Sequence, residues 1–482
     1  QPYVVFGRDE ISASQATTVE EFLRSRLPQN AGFGGSQSQS TGNGRPYSSF
    51  DLRGLGSDQT LVLVNGRRLA NLANQNFAPG QADVNGIPVG SIERIEVLPA
   101  SAGGIYGGNA VGGVINIILR RDYSGLEVTT TYNDTFDFAA PNGRLDINGG
   151  FSLEGGRTTV NFGGSISRSG TLRVEDRIDL IQDGIDLGRE NFSPYAGTGF
   201  PPLGNGVNIR SATGANLVLD PTYGGANLGS AVTNLPLGYD GVDSDGGALL
   251  LANAGEFNLD IPDTLSGLQR GLLTSPEMQS FNVSVRREFA TWLDGFVDYS
   301  HFENSGTSYS ANQVPTTVTL AADAPTNPFQ QAIRVSFPSP GLAFPYESQS
   351  TTDTLAVGAI VRLPRNWALN LEVNKTWTSN ESVFYQAVID TYGTYCGLQA
   401  TNDPFNCAGR PVLNPLESPV DFGAYLFTEP TYLAGPYGST FTNPSLRASG
   451  PLFKLPGGSA TLTLAVQQEA TEIDQAANTI AD

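Results

Sequence analysis

From Leu145 onward, apolar residues recur at every second position, and the connections between these segments sort into two lengths. In RLDINGGFSLEGG, Leu145, Ile147, Phe151 and Leu153 alternate with Asp146, Asn148, Gly150 and Ser152. Beyond the short turn Glu154-Gly155-Gly156, Val160, Phe162 and Ile166 continue in phase. The same period returns at Leu355, Val357, Ala359, Val361 and Leu363, and at Leu462, Leu464 and Val466. A period of two gives a β-strand one greasy and one wet face. Taken singly, such a strand suits a half-buried position in a soluble sandwich. The connections discriminate. Glu154 to Gly156, Ala290 to Asp294, Pro364 to Asn366 and Leu455 to Gly458 are tight, whereas 169–276, 304–350 and 378–438 are long, acidic and rich in Pro, Gly and Asn. Short turns at one end and long loops at the other are expected of an outer-membrane barrel; a sandwich has no reason to sort its loops.

One strand carries the membrane reading in numbers. In NWALNLEVNKTW, Trp367, Leu369, Leu371, Val373 and Trp377 share a phase, and Asn370, Glu372, Asn374 and Thr376 take the other. Ten residues at about 3.3 Å each, tilted by roughly 40°, separate the two tryptophans by about 25 Å, the height of the apolar band of a barrel. Trp367 and Trp377 are therefore expected to mark the two interfaces. Lys375 breaks the outward phase one step from the upper girdle, where its stem can snorkel. No apolar run reaches the roughly 18 residues of a transmembrane helix, which leaves a barrel open.

Composition excludes several partners and chemistries. A net charge of −20 leaves no basic stripe to displace counterions from phosphates, so no nucleic acid is expected. The single histidine, His301 in FVDYSHF, gives a serine triad one candidate base, and neither G-x-S-x-G nor H-E-x-x-H occurs. No enzyme is expected, and His301 reads as a wall residue near the external end. Cys396 and Cys407, in YCGLQATNDPFNC, suit a small disulfide-closed loop better than free thiols or a metal site, which would need more ligands. No resident cofactor or metal is expected. DGVDSDGG (240–247) hints at loop-bound calcium, although Gly241 and Ala252 stand where an EF-hand register needs carboxylates.

The first 121 residues have a different texture, that of a compact α/β unit. TTVEEFLRSRL reads as a short helix, with Thr17 or Thr18 as cap, Glu20 and Glu21 at its positive end, and Val19, Phe22, Leu23 and Leu27 as its apolar face. Thr60 to Val64 reads as a strand turning at Asn65-Gly66. Two further strand runs, Ile92 to Leu98 and Val114 to Leu119, flank a segment dense in glycine, including Gly107, Gly112 and Gly113. Neither G-x-x-x-x-G-K-[ST] nor G-x-G-x-x-G is present, so a phosphate cradle is set aside. Close approach of backbone to backbone inside a packed body is the remaining use of so much glycine.

FDLRGLGSDQTLVLVNGRRL (50–69) followed by IPVGSIERIEVLPASAGGIYGGNAVGGVINIILRRDYSG (87–125) resembles the plug domain of TonB-dependent outer-membrane receptors, in the order helix, Arg-Gly, strand with an Asn-Gly turn, IERIEV, and YG-x-x-A-x-GG-V-I-N-I. The resemblance implies a membrane all-β barrel of the 22-stranded type with an α/β plug inside it, the plug being residues 1–121 and the barrel portion 122–482. About nine strands are countable after the plug, so a second chain or a C-terminal fragment is expected to supply about 13 more, because an open sheet in lipid leaves unpaired backbone groups. By the same resemblance the function is energy-coupled import of a bulky, scarce solute (an oligosaccharide, a peptide or a metal chelate) through the outer membrane of a Gram-negative bacterium. The partners implied are the TonB complex, reached through a segment upstream of Gln1, together with outer-membrane lipid and lipopolysaccharide. At the plug apex Gln37, Gln39, Arg45, Tyr47, Asn74, Gln75, Asn76 and Phe77 are the substrate candidates, since amides and aromatic rings suit hydrogen bonding with stacking. Arg53 and Arg94 correspond to plug arginines that meet wall carboxylates in relatives, with Glu93 and Glu96 as further members of such a lock. A surface adhesin or structural β-protein would share the strands and acidic loops, and a gated passive channel would dispense with the coupling segment.

Overall fold

The computed structural model describes residues 3–16, 18–28, 30, 47–72, 80–101, 110–120, 124–183, 201, 203–264, 267–272, 275–310, 317–338, 344–389, 412–420, 426–455 and 458–474. The plug is built from β1 (Val4–Gly7), α1 (Arg8–Ala13), α2 (Val19–Arg26), β2 (Thr60–Val64), β3 (Arg67–Arg68), β4 (Ile92–Leu98) and β5 (Gly113–Leu119). Helix α2 starts where Thr18 accepts from Glu21 N through its hydroxyl, and it carries Glu20 and Glu21 in the first turn and Arg24 and Arg26 in the last, as the helix dipole favours. Its Val19, Phe22 and Leu23 are fully buried, and Phe22 meets Phe6 of β1 edge to face at 5.3 Å. The five strands pair in the order β1-β4-β5-β2-β3, with β2 and β5 parallel and the other pairs antiparallel. Asn65 and Gly66, both at positive φ, close the β2–β3 hairpin.

After the plug come β6 (Gly125–Asn133), β7 (Asn142–Leu153) and β8 (Thr158–Ser169); an excursion carrying β9 (Gly206–Ser211), β10 (Val232–Pro236) and α3 (Ala248–Ala252); β11 (Ser275–Ala290) and β12 (Leu293–Ser310); a second excursion with β13 (Thr317–Leu320) and β14 (Ile333–Ser336); then β15 (Phe344–Leu363), β16 (Trp367–Ile389), β17 (Leu426–Leu455), β18 (Gly458–Gln467) and β19 (Ala470–Asp474). The wall is one antiparallel sheet ordered β18-β17-β16-β15-β12-β11-β8-β7-β6. β19 continues beyond β18 along the same side of β17, pairing with Gly438 to Thr442. Among the described residues the sheet does not close: β6 and β18 end it. The tight turns of the sequence are tight here, with Gly155 and Gly156, and Arg365 and Asn366, at positive φ.

The wall is inverted relative to a water-soluble sheet. On β7, Leu145 and Ile147 are each 39% exposed whereas Asp146 and Asn148, between them, are 1% and 6% exposed. Ser350, Thr352 and Thr354 of β15 and Asn374, Thr376 and Thr378 of β16 are buried, while Val357, Leu371 and Val373 are exposed. Water would select the opposite arrangement, because exposing apolar surface costs about 25 cal/mol per Å². Hydrocarbon outside and a polar plug inside satisfy both faces. Trp367 and Trp377 lie in the outward phase, and Lys375 stacks its ammonium on the Trp377 ring at 5.0 Å, which lets a cation sit in that phase.

The long connections are not plain loops. β10, β9, β14 and β13 form a separate four-stranded antiparallel sheet drawn from both excursions. Its apolar core buries Val207, Ile209, Leu235, Ile333, Val335 and Phe337, and Leu413 and Leu416 from the third long connection join it. This cap therefore ties three connections into one body.

Candidate functional site

The plug touches the wall mainly through polar groups. Arg67 stands just beyond the Asn65-Gly66 turn, so the hairpin end delivers its guanidinium to the wall. Its Nη1 donates to Asp298 of β12 at 2.7 Å, and its Nε and Nη2 donate to the two oxygens of Glu372 of β16 at 2.8 and 3.2 Å. The guanidinium also lies 5.5 Å from the centre of the Phe296 ring. Ser284 donates to the other Asp298 oxygen at 2.6 Å, which fixes that carboxylate. Beside this pair, Asn65, Asn282, Ser284 and Ser300 help line a cavity of about 40 Å³, room enough for water.

Further contacts continue along the seam. Asn374 donates to Arg68 O at 3.0 Å, Thr378 to Asn71 O at 3.3 Å, and Arg68 pairs with Glu469 at 3.4 Å. On the β6–β7 side Arg8 pairs with Glu127 at 2.7 Å, Arg144 donates to Ala16 O at 3.2 Å, and Ser91 donates to Asn148 at 3.1 Å. Asp83 accepts from Asn304 and Ser350 of two wall strands at 3.1 and 2.7 Å. Among the described residues, Phe302 is the one wall side chain in the plug's apolar core. Charge-assisted hydrogen bonds of this kind hold a body in place and can be exchanged for water without exposing a large apolar surface.

The residues singled out from the sequence fall into three groups. Gln37, Gln39, Arg45, Asn74, Gln75, Asn76, Phe77, Gly107, Cys396 and Cys407 lie outside the described residues. Tyr47 is buried and its hydroxyl donates to Gln349 O of β15 at 3.2 Å, so it joins the seam. Gly112 and Gly113 are positions of close approach: a Cβ would come within 2.9 Å of Leu52 O at Gly112 and 2.6 Å of Leu98 O at Gly113, whose φ is +146°. The lock set is placed differently from expectation. Arg53 sits exposed in a turn at φ 71°, Glu93 is exposed, and Arg94 pairs at 2.8 Å with Glu96 of its own strand, whose other oxygen accepts from Asn116 of β5. A strand's alternation turns Arg94 and Glu96 to one side together, and neighbours on that side neutralise each other. Plug arginines that do reach wall carboxylates include Arg8, on Glu127, and Arg67, on both Asp298 and Glu372; the sequence signal of Arg67 is its position directly after a hairpin turn. His301 lies on β12 with Nδ1 2.9 Å from Asp353. In the calcium candidate, Asp243 accepts from Tyr223, and Asp245 accepts from Tyr239 and from the backbone of Gly247 and Leu249, so both carboxylates hold their own loop.

Residues 1–114 match the family described as the TonB-dependent receptor plug domain. The chain is also similar to solved receptor structures. These include a mutant ferric enterobactin receptor from Pseudomonas aeruginosa (15% identity, covering 98% of this chain and 58% of that one, TM-score 0.43). They also include the siderophore receptor PirA from Acinetobacter baumannii (12%, 98% and 57%, TM-score 0.39) and FpvA of P. aeruginosa bound to a heterologous pyoverdine (12%, 98% and 52%, TM-score 0.41). This chain spans less than three fifths of the length of each. Residues 1–114 thus match a TonB-dependent receptor plug domain, and they dock on the polar face of the antiparallel sheet that follows them.

Proposed function

We propose that the chain is the N-terminal portion of an energy-coupled outer-membrane importer of a bulky solute. The observation that carries the reading is the seam: a plug seated by ion pairs and hydrogen bonds on the polar face of a sheet whose opposite face is apolar. Such a sheet belongs in a bilayer, and such a plug obstructs the space it sits in until work displaces it. The inner-membrane TonB complex would supply that work through a segment preceding Gln1, and the remaining strands, from the same precursor or a second polypeptide, would complete the cylinder within lipid and lipopolysaccharide. The solute is an oligosaccharide, a peptide or a metal chelate. Comparing uptake in the intact cell with and without TonB tests the proposal. Loss of uptake supports it, unchanged uptake favours a passive channel, and no uptake phenotype favours an adhesin. The folded external cap is the one observation that favours the adhesin, since a displayed domain with its own core is what an adhesin needs.

A further inference from the structure

Charge is sorted along the outward face of the wall. Toward the long connections, Glu277 of β11, Glu303 of β12, Glu347 of β15 and Glu381 of β16 share the phase of the exposed Val297, Val357 and Val373. The short-turn end is the reverse. Stretches 153–158, 286–294 and 362–367 hold five arginines and three acids, in a chain of 27 basic and 47 acidic residues. Arg286 and Glu288 fall in the inward phase with Ser284, which leaves Arg157, Arg287, Arg362 and Arg365 against Glu154 and Asp294.

Two of these arginines lace neighbouring turns together. Arg287 Nη1 donates to Glu154 at 3.0 Å, and its guanidinium lies 5.7 Å from the centre of the Phe289 ring, which joins the β7–β8 turn to β11. Arg362 Nη1 donates to Thr291 O at 3.1 Å and to Asp294 at 3.3 Å, which joins the β11–β12 turn to β15. With both carboxylates taken, Arg157 and Arg365 are left over. Both are exposed, and neither side chain bonds or pairs with any described residue. Arg365 lies in the β15–β16 turn, two residues before Trp367. In the order of the sheet, the β11–β12 turn stands between the turns of these two arginines, and it shows Phe289 and Trp292 at 61% and 54% exposure.

We propose that this short-turn rim is a seat for anionic phospholipid, with Arg157 and Arg365 meeting headgroup phosphates and Phe289 and Trp292 lying at the acyl boundary. The inference rests on the bilayer placement argued above and adds which lipid the wall selects and at which end. The rim continues the lipid-facing rows through the exposed Leu153 and Leu363, so a headgroup reaches it from the bilayer. Aromatic rings at the edge of an apolar band sit at headgroup depth, and arginines beside them attract negative lipid. A zwitterionic headgroup brings its own cation and gains less.

The test extracts the membrane-embedded receptor from vesicles of phosphatidylglycerol and phosphatidylcholine in equal parts and counts the lipids that stay bound by native mass spectrometry. Phosphatidylglycerol is expected in excess. Arg157→Gln and Arg365→Gln are each expected to reduce that excess about fivefold, and the double variant roughly twenty-fivefold. Arg168→Gln, 76% exposed at the opposite end of the wall and paired with Glu277, is expected to leave it unchanged. Both lipids retained equally, or an excess that survives the double variant, overturns the seat and leaves the bilayer placement standing. Loss of the excess to added inorganic phosphate at constant ionic strength reassigns the arginines to a soluble anion and overturns the seat as well. A receptor that keeps neither lipid and stays monodisperse without detergent overturns the bilayer placement itself.

Discussion

Arg67→Ala is the perturbation that weighs most on the seam. The side chains of Arg67, Asp298 and Glu372 are 11%, 17% and 16% exposed, so the group is far from the exposed pairs worth only about 0–1 kcal/mol. Truncation leaves two carboxylates around a vacated site with no cation between them. Breaking a buried pair in this way costs about 3–5 kcal/mol, and residual water access argues for the lower end, about 3 kcal/mol. At 1.4 kcal/mol per decade this is roughly a hundredfold in the population of undocked plug. The assay is native-state hydrogen exchange of residues 60–68 in the membrane-embedded receptor, read as opening free energy. Arg67→Lys keeps the charge but loses the two-pronged grip on Glu372, and an intermediate loss is expected. The decisive comparison adds Asp298→Asn and Glu372→Gln to Arg67→Met, because neutralising all three removes the stranded charges. That triple variant is expected to recover most of the loss. A single-variant loss below about 1 kcal/mol, or a triple variant as weak as the single, would refute the assignment of stability to charge pairing.

Glu20 supplies a pH dependence. Burial pushes its carboxyl up to about 7, against the hydrogen bond from Asn85 and the charge of Arg24. Because the folded value is raised, the stability that this carboxyl contributes is fully present below the ordinary carboxylate value near 4.5, and about 3 kcal/mol of it is lost as pH climbs through 7; Glu20→Gln should remove that slope in a urea titration read at several pH values. Gly113→Ala combines a positive φ with a collision at Leu98 O, and an expected loss of about 2–3 kcal/mol is checked by plug thermal stability. Val373→Arg places a charge on the outward face, where about 2–4 kcal/mol of insertion energy is at stake, measured by folding into lipid vesicles. Thr18→Ala removes the α2 cap and should cost about 1 kcal/mol, visible as faster exchange at Glu21.

Much of the plug was legible because its signals are local. A capping threonine, a hydrophobic face on α2, an Asn-Gly turn and the β-branched runs of β4 and β5 each determine their own conformation within a few residues. β5 begins one residue earlier than Val114, since Gly113 pairs with Thr60 in the parallel ladder, a partner more than fifty residues away that no local pattern announces. The wall contacts of Arg67 lie 231 and 305 residues away, and those of Asp83 lie 221 and 267 away. Residues so distant are brought together by the register of several strands at once. The lock expectation therefore settled on Arg53 and Arg94, which stand in recognisable motifs, and passed over Arg67, whose only local mark is the turn before it. The cap was illegible for a related reason: Asn-Pro-Phe in a Pro/Gly-rich stretch reads as loop, yet Phe329 is 1% exposed in the cap core, with Asn327 bonded to Ala321 O and Gln331 O.

The same alternation serves two solvents in this chain, and the covering of the two faces separates them. Val207 and Ile209 of β9 alternate with Asn208 and turn inward to an apolar core, as water demands. Leu145 and Ile147 of β7 alternate with Asp146 and turn outward, as hydrocarbon demands. Period alone is symmetric under exchange of the two faces, since a strand with greasy odd positions fits either case. What breaks the symmetry is which faces protein covers. Asp146 pairs with Arg144 at 2.8 Å and accepts from Ser165, and Arg144 reaches Ala16 O of the plug, so the wet face of β7 is occupied by protein and its greasy face must meet something else. In the cap Asn208 is covered as well, exchanging hydrogen bonds with the Asn258 backbone, but there the apolar side is closed too, by Leu235, Val335 and Phe337. A strand that meets hydrocarbon is therefore identified by a polar face filled with protein partners together with an apolar face left open.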